Sequence, residues 1–354
     1  MRRRLLERIS FTDVSLWLVG GLIAVVVVVG SITTLGMDRF TTRQWLDFAV
    51  TGLAQGSVYA MIALGYTLVY GILRMINFAH SEVFMGGAFT GFFVADAVAR
   101  SGLLERNPFV ALTLVVLVAM ATSVTIAVLL ERIAYRPLRR APRLVPLITA
   151  IGASFFLQYT FRGLYGSQFK TYPEVDVLRG AVTITGDLVI QRLQIVVIVT
   201  AALFMIALQT FVQRTKTGKA MRAVSEDKDV AALMGIDVDR IIVITFVLGA
   251  VLAGAAGVLY SLMFRQVQFF MGFIPGIKAF TAAVLGGIGN IPGAMLGGLF
   301  LGIFESLGPT LFLTGLGVPA PHQLKDVVAF VMLVLVLIFR PTGILGERLA
   351  TKKA

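Results

Sequence analysis

There is no cysteine among the 354 residues, which excludes disulfides, zinc–thiolate centres and thiol catalysis. Histidine is almost as scarce: His80 and His322 are the only two, and neither stands at a zinc-binding spacing. A phosphate loop is missing too. The one Gly-Lys pair, Gly218-Lys219, has Gln213 where that motif requires Gly and Ala220 where it requires Ser or Thr. With no nucleophile–base constellation either, the chain is expected to be no enzyme and to hold no metal and no cofactor. If ATP drives its work, another chain must hydrolyse it.

Charge is scarce as well. Asp, Glu, Lys and Arg make up 14% of the chain, against roughly 25% in soluble domains. Meanwhile 57% is hydrophobic and mean hydropathy is +0.89. A water-soluble exterior of this length needs more charged side chains, whereas a lipid-facing exterior needs none. Closed β-barrels also span membranes, but they alternate apolar and polar residues over short segments, and the apolar runs here are continuous and much longer. The fold class predicted is an all-α polytopic membrane protein.

Acidic residues number 19 against 31 basic ones, for a net charge of +12. The basic residues lie in short clusters between apolar runs, without the stripe or interleaved aromatics of a nucleic-acid surface, so they read as a topology signal. Spans of roughly twenty apolar residues run from about Val14 to Gly30, Leu46 to Tyr70, Phe84 to Ala99, Phe109 to Leu130 and Leu144 to Phe161. The second half offers Leu193 to Val212, Ile241 to Phe264, Ile274 to Gly289, Gly293 to Leu313 and Leu324 to Phe339. If these ten alternate, Arg2 to Arg8, Arg74, Arg132 to Arg143, Arg214 to Arg240 and Arg340 to Lys353 fall on one side with 20 of the 31 basic residues. The positive-inside rule makes that side the cytoplasm and puts both termini there. The first span follows Arg2, Arg3 and Arg4 without a small-residue cleavage site, so it is expected to be retained as a helix.

Two places are predicted to be broken or re-entrant: the segment after Gly71, and the short Gly-rich spans around Ile291 and Pro292. Such breaks persist only where protein or a polar cavity satisfies the freed backbone, which makes them candidate pathway-lining places. Glycines at four-residue spacing, Gly52/Gly56, Gly87/Gly91, Gly293/Gly297 and Gly298/Gly302, point to close helix packing. Gly286, Gly287 and Gly289 are alternatively hinges. Phe84-Met85-Gly86 and Phe270-Met271-Gly272 each precede an Ala-Phe-Thr, a weak sign of duplicated halves.

The most informative hydrophilic stretch is Arg214 to Arg240, too long for a turn and carrying its own helix signals. Met221 and Val224 share a face of a first short helix. Ser225 is expected to cap a second, with Glu226 and Asp227 in its first turn and Gly235 as its stop. Val230, Leu233 and Met234 then form an apolar face on a compact knob. Docking into a partner's groove and lying on the bilayer surface are both open on these residues.

At Gly56-Ser57-Val58-Tyr59-Ala60, Tyr66-Thr67-Leu68-Val69-Tyr70-Gly71 and Ile76-Asn77-Phe78-Ala79-His80 the sequence resembles the branched-chain amino acid ABC transporter permease family, LivH type. Glu131 to Pro137, Leu233-Met234-Gly235-Ile236, Lys278 to Gly289 and Pro341 to Gly346 continue the resemblance in order, so that it runs from about Asp47 to Gly346. It implies a transmembrane fold like that of the vitamin and ribose importers, with 1–354 as one permease domain. It also implies a second homologous permease, two cytoplasmic ATP-binding subunits and a periplasmic substrate-binding protein in a bacterial inner membrane. Residues 1–45 form an N-terminal extension carrying the first helix. The stretch 214–239 corresponds to the family's coupling segment, which tips the knob toward ATPase docking through Met221, Arg222, Val224, Glu226, Asp227, Asp229, Leu233, Met234 and Gly235. Two departures are the extension itself, up to Gln44, and Ser81-Glu82 where the family has Gly-Glu, a change expected to stiffen the turn after His80.

Asn77, His80 and Glu82 gather at the predicted break, either lining a gate or tying a broken helix together by hydrogen bonds. Lys278 and Glu305 are charges inside predicted spans, where they pair, line a pathway, or let Lys278 snorkel to the interface. Gln55, Ser57, Tyr59 and Gln158 offer polar groups for a zwitterionic cargo, or bonds between helices. The competing functions are a permease for urea, amides or other amino acids, and an ATP-independent ion-coupled carrier. The carrier would require ionisable residues strung through several helices, and few are present.

Overall fold

The computed structural model describes residues 11–346 except 140, 143, 186, 187 and 341, with the backbone alone at 11–16 and 185. The basic clusters at Arg2 to Arg8 and Arg348 to Lys353 lie outside it. Among the described residues nine helices are long and apolar enough to cross a membrane. These are α1 (Phe11–Gly36), α2 (Thr42–Leu73), α3 (His80–Arg100), α4 (Pro108–Leu129), α5 (Leu144–Tyr165), α6 (Arg192–Arg214), α9 (Val238–Phe264), α11 (Ile291–Leu313) and α12 (Lys325–Phe339), the last lengthened to a span of 19 residues by the 3-10 turn Pro321–Leu324. Between them lie α7 (Lys216–Glu226), α8 (Lys228–Leu233) and α10 (Phe273–Gly286). This is a multi-pass helical membrane protein, and the ten expected spans resolve into nine full helices and one short one.

Helices α2 and α9 form the centre, with 83% and 72% of their apolar windows buried, against 6 to 28% for α1, α4, α5, α6 and α12, which turn outward. Small residues make the central contact possible. Along the antiparallel α2–α11 crossing, a Cβ added to Gly56 would stand 2.8 Å from the Gly298 carbonyl and 2.9 Å from Leu299 Cα. A Cβ on Gly52 would stand 2.8 Å from both the Gly302 carbonyl and Ile303 Cα. Close packing is therefore what these glycines do. Gly56→Val is expected to cut the yield of folded, detergent-extracted protein several-fold, by about 1–3 kcal/mol of overpacking. Gly152→Val, with nothing within 4 Å of the added Cβ, should leave it unchanged; size-exclusion recovery after solubilisation measures both.

Arg74, Arg136, Arg139, Arg214 and Arg240 gather at one end, here the basic end. The segment after Gly71 is broken as expected. Helix α2 runs on to Leu73 and is capped by Arg74 in the left-handed conformation, φ 56. Residues 75–79 then turn back into the protein, so that His80, the first residue of α3, packs against Gly65 and Gly249. Gly65 lies eight residues short of the end of α2, so α3 starts about 12 Å inside the basic end. Ser81 is helical, and its hydroxyl donates to the Phe78 carbonyl at 2.8 Å. No glycine-only conformation is required there.

Helix α10 mirrors this break from the other side. After α9 the chain pairs Gln266–Val267 with Lys170–Thr171 at the opposite end, then dips until Gly272 lies on the Ser81 backbone. The 14 residues of α10 span only about 21 Å, completing the crossing from mid-depth to the basic end. Gly287 and Gly289, at φ 104 and 97, form the turn into α11. The carbonyls of Leu285 and Gly286 accept from the N–H groups of Ile344 and Leu345 at 2.8 and 3.0 Å, so the segment after α12 satisfies the end of α10. The two Phe-Met-Gly triplets sit differently, Gly86 inside α3 and Gly272 at the start of α10. They do not mark equivalent positions.

Candidate functional site

The stretch from Arg214 folds as a knob at the basic end. Thr215 ends α6 and caps α7, its side chain accepting from the Gly218 N–H at 3.0 Å. Met221 and Val224 are buried and hold α7 against the bundle, while Arg222 is exposed and reaches the Gln213 carbonyl at 3.4 Å. The cap of α8 differs from expectation. Asp227, not Ser225, takes the position, accepting from the N–H groups of Asp229 and Val230 at 2.9 and 3.0 Å, and Glu226 belongs to the end of α7. A carboxylate that serves two orphan donors is the stronger cap. The Ser225 carbonyl instead accepts from Arg74 Nη2 at 3.0 Å, tying the knob to the end of α2. Gly235, at φ 81, ends α8.

The outer face of the knob is apolar and bare: Val230 is 55% exposed, Leu233 87% and Met234 78%. Exposed Glu226, Asp227 and Asp229 rim it. Its inner face is cationic. Lys228 is held below the ordinary lysine range, first by burial and then by nearby Arg139 and Arg74, with Asp229 opposing.

Behind the knob, Arg139 joins buried Glu131 to Asp239 at the start of α9, and Arg136 reaches the same Asp239 at 2.6 Å. Tyr135 donates to Asn77 Oδ1 at 2.6 Å, pinning the re-entrant segment. Asn77, His80 and Glu82, expected as one group, point three ways. His80 stacks edge-on with Tyr66, centroids 5.0 Å apart. Glu82 Oε1 accepts from Gln158 at 2.7 Å and Ser154 at 3.1 Å. Asn77 and Glu82 thus fasten the break by hydrogen bonds to Tyr135 and to α5, while His80 is held by packing.

Near mid-depth, Lys278 does not snorkel. It is 3% exposed and binds Glu305 at 2.6 Å and Asp326 at 2.7 Å. Tyr59 donates to Glu305 at 3.4 Å and lies under the Lys278 ammonium at 5.7 Å. Ser57 is spent on its own helix, donating to the Leu53 carbonyl at 2.7 Å. Gln55 lines a cleft of about 400 Å³ with Asp47, Phe48, Thr51, Glu305, Ser306, His322 and Lys325. Asp47, Lys325 and Asp326 escaped sequence reading because a charge at the edge of an apolar run looks like an interfacial anchor.

This arrangement offers bonds, charge pairs and a bare apolar knob, and among the described residues no group of three or more acidic or histidine side chains is placed to hold a metal. The family model described as "Branched-chain amino acid transport system / permease component" matches residues 48–337. The chain belongs to this family. The permease is 46% identical over 310 residues to the high-affinity branched-chain amino acid transport system permease protein BraD of Pseudomonas aeruginosa, covering 86% of this chain and 96% of that one. It is 43% identical over 305 residues to the corresponding LivH protein of Escherichia coli, with the same shares covered. Among solved structures it is similar to PsaBC from Streptococcus pneumoniae in complex with Fab, 15% identical, with a TM-score of 0.41 over 88% of this chain and 96% of that one. The matched residues contain the knob, both breaks and the charge cluster, while α1 precedes them.

Proposed function

We propose that this permease is the membrane-spanning subunit of an ATP-driven importer that carries branched-chain amino acids across the bacterial inner membrane, with both termini in the cytoplasm. The exposed Val230–Leu233–Met234 knob at the basic end carries this reading. A bare apolar face with an acidic rim, tied by Arg74 to the end of α2, suits a helix docked in a groove of a separate ATPase. The stretch 214–239 is then the coupling segment, and two ATP-binding subunits, a second homologous permease and a periplasmic binding protein complete the importer. The relatives' names supply the cargo class.

Within the permease, Gln55, Ser57, Tyr59, Lys278 and Glu305 mark the outer half of the route, and Asn77, His80 and Glu82 the broken helix that gates its inner half. An ion-coupled carrier would string ionisable groups through the bundle, whereas here Glu131 pairs with Arg139, Lys278 pairs with Glu305, and Glu82 is held by Gln158 and Ser154. In proteoliposomes holding the permease with its partner subunits and binding protein, leucine uptake is expected only with ATP. Uptake by the permease alone, without ATP, would favour the carrier.

A further inference from the structure

The cleft beside Glu305 is lined by charged groups of both signs. Its walls come from the first turns of α2 (Asp47, Phe48, Thr51, Gln55), the last third of α11 (Glu305, Ser306), and His322 and Lys325 at the head of α12. Two of its polar groups are already engaged: Thr51 accepts from Gln194 at 3.0 Å and Ser306 donates to the Phe48 carbonyl at 2.7 Å. Glu305 is only half used. It is 3% exposed, its Oε1 takes Lys278, and its Oε2 has no hydrogen-bond partner.

The charges there are unequal. Two carboxylates, Asp47 and Glu305, and one ammonium group, Lys325, line the cleft, with the Lys278–Asp326 pair beside Glu305, and Lys325 stands 4.0 Å from Glu305 with its side chain 46% exposed. A buried carboxylate oxygen without a donor is costly, and a ligand ammonium is the partner that chemistry calls for. The surplus negative charge favours a cationic group inside the cleft, and the exposed lysine at its rim favours an anionic one.

Resting on the importer reading, we propose that this cleft is a vestibule for a small zwitterionic amino acid. Its ammonium lies on Glu305 and Asp47, its carboxylate on Lys325 and its side chain against Phe48. The cleft opens at the end opposite the knob, the side from which cargo arrives. Its volume of about 400 Å³ falls in the range of small-molecule sites.

The chain carries its own reporter. Trp17 and Trp45 are its two tryptophans, and Trp45 lies 6.0 Å from Phe48, which in turn lies 5.8 Å from His322. In a Trp17→Phe background, leucine, isoleucine and valine are expected to change Trp45 fluorescence saturably in the millimolar range. Leucinamide, which keeps the ammonium, should also bind, and 3-methylbutanoate, which lacks it, should not. Asp47→Asn should weaken leucine and leucinamide alike by about tenfold, and Lys325→Gln should weaken leucine alone. Both sites are at least partly exposed, so folding is retained and circular dichroism verifies it. No saturable response to leucine, an equal response to 3-methylbutanoate, or indifference to both substitutions overturns the vestibule. Such a failure alongside ATP-dependent leucine uptake by the assembled importer removes this inference alone; loss of that uptake as well removes the importer reading.

Discussion

Exchanging Leu233 and Met234 together for Ser is expected to weaken association of the permease with its ATPase subunits by about a hundredfold, while the permease still inserts and extracts as a folded protein. Both side chains are almost fully exposed, at 87% and 78%, so the fold loses little with them. In a docked complex each would bury an apolar side chain worth about 1.5–3 kcal/mol, and central anchors of this kind carry most of an interface's energy. Reversing Glu226 and Asp229 should act differently, slowing association and making it more salt-dependent, as rim charges do. Asp227 is a poorer choice for that experiment because its carboxylate also caps α8. Arg74→Ala cuts one step further in, at the bond to the Ser225 carbonyl. ATPase subunits should stay bound and hydrolyse ATP while leucine uptake falls. Pull-down, ATPase rate and uptake on the same preparations separate the three cases.

The second large effect lies deeper in the bundle, between α10 and α11. Lys278→Met leaves the Glu305 carboxylate 97% buried without its main cation, and breaking such a pair costs on the order of 3–5 kcal/mol. Lys325, 4.0 Å away, offsets part of this. A fall in the apparent melting temperature of the detergent-solubilised permease is expected, together with a loss of folded yield. Adding Glu305→Gln should restore most of the stability, because the deeply buried charge is then gone and the carboxylate that remains, Asp326, is 43% exposed. If the double variant is no more stable than the single one, the pair is not what holds α10 to α11.

Much of this was legible in the residues. The long apolar runs give the spans, since lipid imposes length directly. The four-residue glycine spacing gives the α2–α11 contact because only a missing Cβ lets two backbones meet. The pairing of Lys278 with Glu305 was one of the open readings, since intramembrane charges seek partners. Other features depend on three-dimensional placement that no local pattern encodes. The split of Asn77, His80 and Glu82 among different neighbours follows from the depth at which α3 starts. Asp227 outcompetes Ser225 as a cap because α7 runs on through Ser225 to Glu226, which leaves Ser225 inside the helix. Asp326 joins the buried pair from a helix end nearly fifty residues from Lys278. The half-length of α10 is set by its contacts with Ser81 at one end and with Ile344 and Leu345 at the other.

The absence of native cysteine makes the central claim directly measurable, since any introduced thiol is the only one in the chain. The claim is that the knob between α6 and α9 faces the cytoplasm and the cleft beside Glu305 faces outward. With a membrane-impermeant maleimide on intact spheroplasts, His322→Cys is predicted to label and Met234→Cys to stay unlabelled until inside-out vesicles are used. Labelling of Met234→Cys from outside the intact cell would contradict the orientation, and the docking and vestibule assignments would fall with it.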